Sequence, residues 1–181
     1  MPFLMLKDIP RYECLLSTAR LHPELDPSAC EAYLNLLRAG HEAYGRSEAF
    51  LTDHGMTPGR FTILMLLYNK QDGTMIPRTP AELADKAAVT RATITGLVDT
   101  LERDGLVKRE HDEGDRRMMQ VRMTPKGLAS LRDLLPGYFR QVAEQMASLN
   151  ETERKTLVRL LNKMAAHPPA SHIETKAHAI A

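Results

Sequence analysis

The residues best suited to chemistry in this chain sit in two short runs. One is Thr90-Arg91-Ala92-Thr93-Ile94-Thr95. The other, further on, is Asp115-Arg116-Arg117. Hydroxyls bond phosphates or base edges, and an arginine can grip guanine through two parallel hydrogen bonds. At the start of a helix the backbone N–H groups add a pull on phosphate. Thr90 is also placed to act as an N-cap, and the remaining threonines could simply fill an exposed face. Around Arg116 and Arg117 lie His111, Asp112, Glu113 and Asp115, an acidic setting for a phosphate-seeking tip. In one economical arrangement Asp115 fixes an arginine's guanidinium while that side chain reaches a narrow minor groove. The other is a solvated turn with weak surface ion pairs.

The elements that must position these residues are legible between Pro80 and Thr124. Leu83, Ala84 and Ala87 recur at helical spacing, and the pattern breaks at Ala88-Val89. Thr90 opens a second helical pattern through Ile94, Leu97, Val98 and Leu101, which Asp104-Gly105 stops. Two alternating segments follow, Leu106 to Glu110 and Met118 to Met123, joined by the charged tip. Helix, turn, helix and β-hairpin in that order make a winged helix-turn-helix, a module that lays one helix in the DNA major groove.

The flanks read as helices too. Residues 1–27 form an apolar arm with a short helical pattern at Tyr12, Leu15, Leu16 and Ala19, expected to pack on its own domain or on a partner subunit. Asp26 or Ser28 can cap the next helix, with Pro27 at its start. That helix carries Tyr33, Leu36, Leu37, Tyr44, Phe50 and Leu51 and ends at Gly55. Thr57-Pro58 opens a helix that is apolar nearly all round and therefore buried. Gln71 to Thr79 reads as a loop. Thr124-Pro125 opens a long helix, which Pro136 should kink rather than end. Asn150 and Glu153 resemble a capping box before a last helix with Leu157, Leu160, Leu161 and Met164.

The 181 residues carry a net charge of only +1, so the chain is no generic polyanion binder and charge placement matters more than its sum. Between Lys86 and Arg132 basic residues outnumber acidic ones ten to seven. Cys14 and Cys30 do not make a disulfide framework and suggest a reducing compartment. No signal segment or membrane-length apolar run is present, so a soluble, cytoplasmic protein without membrane contact is expected. There is no Walker loop, dinucleotide glycine fingerprint, CxxC or HExxH, so neither an enzyme nor a cofactor is expected.

The run ELADKAAVTRATITGLVDTLERDGLVKRE, followed by DEGDRRMMQVRMTPKG, resembles the MarR family of bacterial transcriptional regulators. The Asp-x-Arg of that family's wing matches Asp115-Arg116-Arg117, and Val121 to Gly127 matches the run after it. GMTPGRFTILMLL is similar to the segment before the helix-turn-helix. The resemblance covers roughly residues 29–164. It implies a mainly α fold with a small β-hairpin wing, in a homodimer built by N- and C-terminal helices. Two winged lobes would then span a pseudo-palindromic operator on double-stranded DNA, with Arg117 in the minor groove and Asp115 as its support. The expected organisation is an arm at 1–27, a dimerisation and ligand-side helix at 28–56 and a DNA-binding lobe at 57–124. Dimerisation helices at 125–167 and a flexible tail at 168–181 complete it.

A small-molecule effector, often phenolic or an aromatic acid, is implied between the dimerisation helices and the lobe, releasing a repressor from its operator. Polar residues there are His41, Tyr44, Ser47, His54, Arg60 and Thr62. Arg60 could pair with a carboxylate, and His41 or Tyr44 could bond a phenol. Each also has an ordinary structural role. A second expectation of the same fold is thiol sensing through Cys30, with Tyr33 one turn on, although the family's sensing position falls nearer Tyr33. Zinc-sensing relatives carry spaced histidines after the wing. Leu128 to Leu149 has none, and His167, His172 and His178 lie in the tail, so no metal site is expected. A winged helix used only for protein contact is the alternative of another class.

Overall fold

The computed structural model describes residues 8–111 and 117–166. Its elements run α1 (Tyr12–Leu21), α2 (Pro27–Asp53), α3 (Pro58–Leu66), α4 (Pro80–Ala87), α5 (Arg91–Arg103), β1 (Val107–His111), β2 (Met119–Met123), α6 (Pro125–Gln145) and α7 (Glu151–Ala165). The fold is mainly α with a two-stranded antiparallel wing, as the sequence pattern anticipates. The chain divides into two compact units, one ending at Val142 and one starting at Ala143.

Helix starts follow the caps written in the sequence. The Asp26 carboxylate accepts from the backbone N–H of Ser28 and of Ala29 at the head of α2. Thr57 accepts from Arg60 N–H at the head of α3. Thr79 caps α4, Thr90 caps α5, and Asn150 with Glu153 forms a capping box for α7. Each such side chain satisfies donors that the first helical turn leaves orphaned. Pro136 stands inside α6, and the helix continues past it to Gln145.

The core is the inner face of the winged unit. Ile63, Leu64 and Leu67 from the α3 segment meet Leu83 of α4, Ile94, Val98 and Leu101 of α5, Val107, Val121 and Met123 of the wing, and Leu131 of α6. All of these are essentially inaccessible to solvent. Of the expected arm, the described part packs on its own chain, with α1 against α2 and Leu15 buried, while residues 1–7 lie outside the described residues.

The segment from Gln71 to Thr79 is more ordered than a plain loop. Tyr68 bridges Met75, and Arg78 pairs antiparallel with Val121, exchanging bonds of 3.1 and 2.8 Å. Arg78 Nε also donates to the Leu66 carbonyl at 2.8 Å. A single bridging residue has no alternation to show in sequence, which is why the period-2 pattern misses it. The wing is thus also tied by backbone hydrogen bonds to the chain just before α4.

Candidate nucleic-acid interface

The helix-turn-helix is locked at both ends of its first helix. The Thr79 hydroxyl accepts from Glu82 N–H at 3.2 Å, and the Glu82 carboxylate accepts from Thr79 N–H at 2.7 Å. Those bonds, the backbone one foremost, hold the Glu82 carboxyl below its ordinary pKa. At the other end Ala88 adopts a left-handed backbone, with φ of 52°. Val89 N–H then reaches back to the Ala84 carbonyl at 3.1 Å, closing α4 and aiming the chain into α5.

Ile94, Val98 and Leu101 fix α5 to the core, so the opposite face is set by helical period. Arg91, Ala92, Thr93, Thr95, Gly96, Asp99 and Arg103 are exposed there. The predicted contacts Thr90, Arg91, Thr93 and Thr95 therefore lie together at the exposed start of α5. All three hydroxyls already have local work. Thr90 accepts from Thr93 N–H at 3.1 Å and shares a 2.9 Å hydrogen bond with the Thr93 hydroxyl, while Thr95 donates to the Arg91 carbonyl. Each keeps an exposed oxygen able to accept or relay a further bond.

Among the described residues, Arg109 bonds the wing to this helix. Arg109, on β1, sends Nη2 to Asp99 at 2.6 Å and Nη1 to Glu102 at 2.5 Å. Its backbone N–H donates to the other Glu102 oxygen at 2.8 Å. Burial works against the guanidinium charge, yet the Asp99 and Glu102 carboxylates outweigh it and raise the pKa above the ordinary arginine value. Next to it, Glu110 takes Lys108 at 2.6 Å and also pairs with Arg122 across the strands. The Lys108 bond chiefly holds the Glu110 carboxyl below its usual range.

The Thr-x-x-Gly run after β2 anchors the wing to α6. Thr124 Oγ1 donates to the Gly105 carbonyl at 2.7 Å and accepts from Gly127 N–H at 3.0 Å. At Gly127 the backbones touch, because a Cβ would lie 2.1 Å from the Leu106 carbonyl oxygen. Arg117 is exposed just before β2. Asp115 and Arg116, like His167, His172, His178 and the expected tail, lie outside the described residues.

The candidate effector residues do not converge. His41, Tyr44, Ser47 and His54 follow one another along α2 and its C-cap, so His41 and His54 stand about 20 Å apart at the helical rise. His41, Tyr44, His54 and Thr62 are exposed, and Ser47 is half-buried. Arg60 pairs with Asp104, the C-cap of α5, while its Nε is buried without a hydrogen-bond partner. Instead, aromatic rings gather near the end of α2. Phe50 lies 4.3 Å from the His54 ring and 6.3 Å from Tyr138, which lies 4.7 Å from Phe61. The sequence hides this cluster because Tyr138 joins it from α6, far down the chain from α2 and α3. Cys14 is exposed and Cys30 half-buried, and among the described residues no cluster of three metal-ligating side chains forms. No helix among the described residues is long and apolar enough to cross a membrane.

Comparison with known proteins places this geometry. The profile of the MarR family matches residues 56–119. The HTH-type transcriptional repressor YetL of Bacillus subtilis is 33% identical over 159 residues, spanning 88% of this chain and 93% of YetL. The structure of BpsR from Bordetella bronchiseptica, whose DNA binding is regulated by 6-hydroxynicotinic acid, aligns with a TM-score of 0.62 at 26% identity. It covers 74% of this chain and 91% of its own. A mutant of Escherichia coli MarR complexed with operator DNA shares the fold, with a TM-score of 0.62 at 22% identity over 71% of this chain and 89% of its own.

Proposed function

Because the chain belongs to the MarR family of transcriptional regulators, we propose that it is a homodimeric repressor that reads a pseudo-palindromic operator and is released by a small aromatic acid. The observation that carries the DNA reading is the exposed, hydroxyl- and arginine-bearing start of α5, held to the wing by Arg109. Thr90, Thr93 and Thr95 serve phosphates and base edges, Arg91 a base or phosphate. Arg117 enters the adjacent minor groove, and Asp115 and Arg116, which precede it in sequence, are proposed to act with it.

The dimer is supported by what the chain leaves uncovered. α2 runs 27 residues and buries only Leu51 fully, leaving Tyr33 and Tyr44 exposed. α7 buries none of its residues and exposes Leu157, Val158, Leu160, Leu161 and Met164. Helices this apolar need a partner, and an isologous second copy supplies it. Two-fold symmetry then sets two half-sites about one helical turn apart.

For the effector, the Phe50, Phe61 and Tyr138 rings offer an apolar seat, and the unpartnered Arg60 Nε offers a donor to a carboxylate. The regulation of BpsR by 6-hydroxynicotinic acid supports the same ligand class. His54 stands beside Phe50 and serves a ring substituent. His41, Tyr44 and Ser47 lie further up α2, toward the face assigned to the second subunit.

Selection from a random-sequence duplex pool tests the reading. The dimer should enrich an inverted repeat, and adding 6-hydroxynicotinic acid or a benzoate should lower affinity for it. Recovery of no preferred sequence would overturn the DNA reading and favour a protein-contact module. An enriched repeat insensitive to every aromatic acid tried would overturn only the effector.

A further inference from the structure

Arg109 was not among the residues expected to matter for DNA, yet it is the side chain through which β1 grips α5. Its guanidinium meets two carboxylates one turn apart, Asp99 at 2.6 Å and Glu102 at 2.5 Å. Nη2 also lies 3.5 Å from the Thr95 carbonyl, beside the expected DNA contacts. Glu102 closes the clamp from the other side by accepting the Arg109 backbone N–H at 2.8 Å. A planar fork held at both ends by carboxylates restricts geometry as well as supplying charge. A lysine could supply the charge but not the fork.

We propose that Arg109 is the positioning residue for operator reading: it fixes the wing against α5, so that Arg117 and the start of α5 reach adjacent grooves at once. The clamp has a second effect. Asp99 is exposed on the same face as Gly96 and Arg103, and its carboxylate would repel the duplex if uncovered. Arg109 neutralises it in place. Positioning and neutralisation make different demands. Neutralisation needs only that the carboxylates vanish with the arginine, whereas positioning needs the bonds themselves. The core beneath, which includes Ile94 and Val121, is built of apolar side chains, and Arg109, Asp99 and Glu102 are not among them.

The proposal rests on the DNA reading above, and the experiment separates the two. The probe is the duplex that the wild-type dimer enriches from a random pool. Binding and dimethyl sulfate footprints, which report guanine N7 in the major groove and adenine N3 in the minor groove, are compared for wild type, Arg109→Gln, Arg109→Lys and the charge-neutral triple variant Arg109→Gln/Asp99→Asn/Glu102→Gln. Far-ultraviolet circular dichroism and sedimentation report the folded dimer for each. Arg109→Gln should bind about tenfold or more weaker, the loss that follows when a specific groove contact is withdrawn. Its footprint should keep the major-groove protection and lose the minor-groove protection. Arg109→Lys should recover only part of the affinity, and the neutral triple variant should stay weak.

Should the triple variant regain wild-type affinity, or Arg109→Gln keep both protections, the positioning role is overturned. Should Arg109→Gln not fold, the exposed-side variant Asp99→Asn, which cuts one arm, gives the decision. Weaker binding with reduced wing protection supports the proposal, and unchanged or tighter binding overturns it. If wild type itself enriches no duplex, it is the DNA reading that has failed.

Discussion

At the scale of single residues, Arg117, Arg91 and Gly127 carry separable roles. Arg117→Ala should weaken operator binding markedly while leaving dimer mass unchanged, and equilibrium binding with sedimentation reads both. Arg91→Ala separates two chemistries. A shifted base preference in a selected pool marks a base contact, and a uniform loss across sequences with a shallower salt slope marks a phosphate contact. Gly127→Ala forces a methyl into the Leu106 carbonyl, 2.1 Å away, where neither backbone can retreat. It should destabilise the fold by about 2–3 kcal/mol, measured as a lowered denaturant midpoint. The sequence shows Thr124 and Gly127 as a spaced motif, but only the approach of two backbones explains why the second must be glycine. The role of Arg109 was hidden for a related reason. Its carboxylate partners lie on another element, seven and ten positions earlier, outside any local pattern.

At the scale of elements, local chemistry writes most of the fold. Caps at Asp26, Thr57, Thr79, Thr90 and Asn150 each sit where a helix begins. Helical and two-residue periods separate α5 from the wing strands. What local pattern does not reach is pairing, such as Arg78 on Val121. The α4 capping box gives a pH prediction. Because Glu82 titrates below its ordinary value of 4.5 in the folded protein, the unfolded chain binds its proton first as pH falls. The stabilisation is therefore fully present above the unfolded pKa and is lost as pH falls through the lower folded one. Glu82→Gln should flatten that acid-side loss in a series of thermal melts. Thr79→Ala should remove about 1 kcal/mol at neutral pH, since it deletes the cap itself.

At the scale of the molecule, the apolar face of α2 and that of α7 each support the proposed homodimer, and the polar start of α5 is the proposed reading head. Leu160→Glu, which places a charge on the α7 face, should shift the protein toward monomer in sedimentation and weaken operator binding with it, because a single half-site carries only part of the contact. The effector reading joins that interface to the lobe through differential affinity of two arrangements for DNA. The sequence alone brings His41, Tyr44, Ser47, His54 and Arg60 forward as ligand residues. The rings of Phe50, Phe61 and Tyr138 come together only once α2, α3 and α6 are placed.

The salt dependence of binding to the selected duplex decides whether the protein reads DNA through phosphates and groove edges, as proposed. Affinity should fall by about a thousandfold or more between about 50 and about 200 mM salt, with the logarithms linearly related. Discrimination against a scrambled duplex should persist across that range. A shallow dependence, or equal affinity for the scrambled duplex, would contradict that reading.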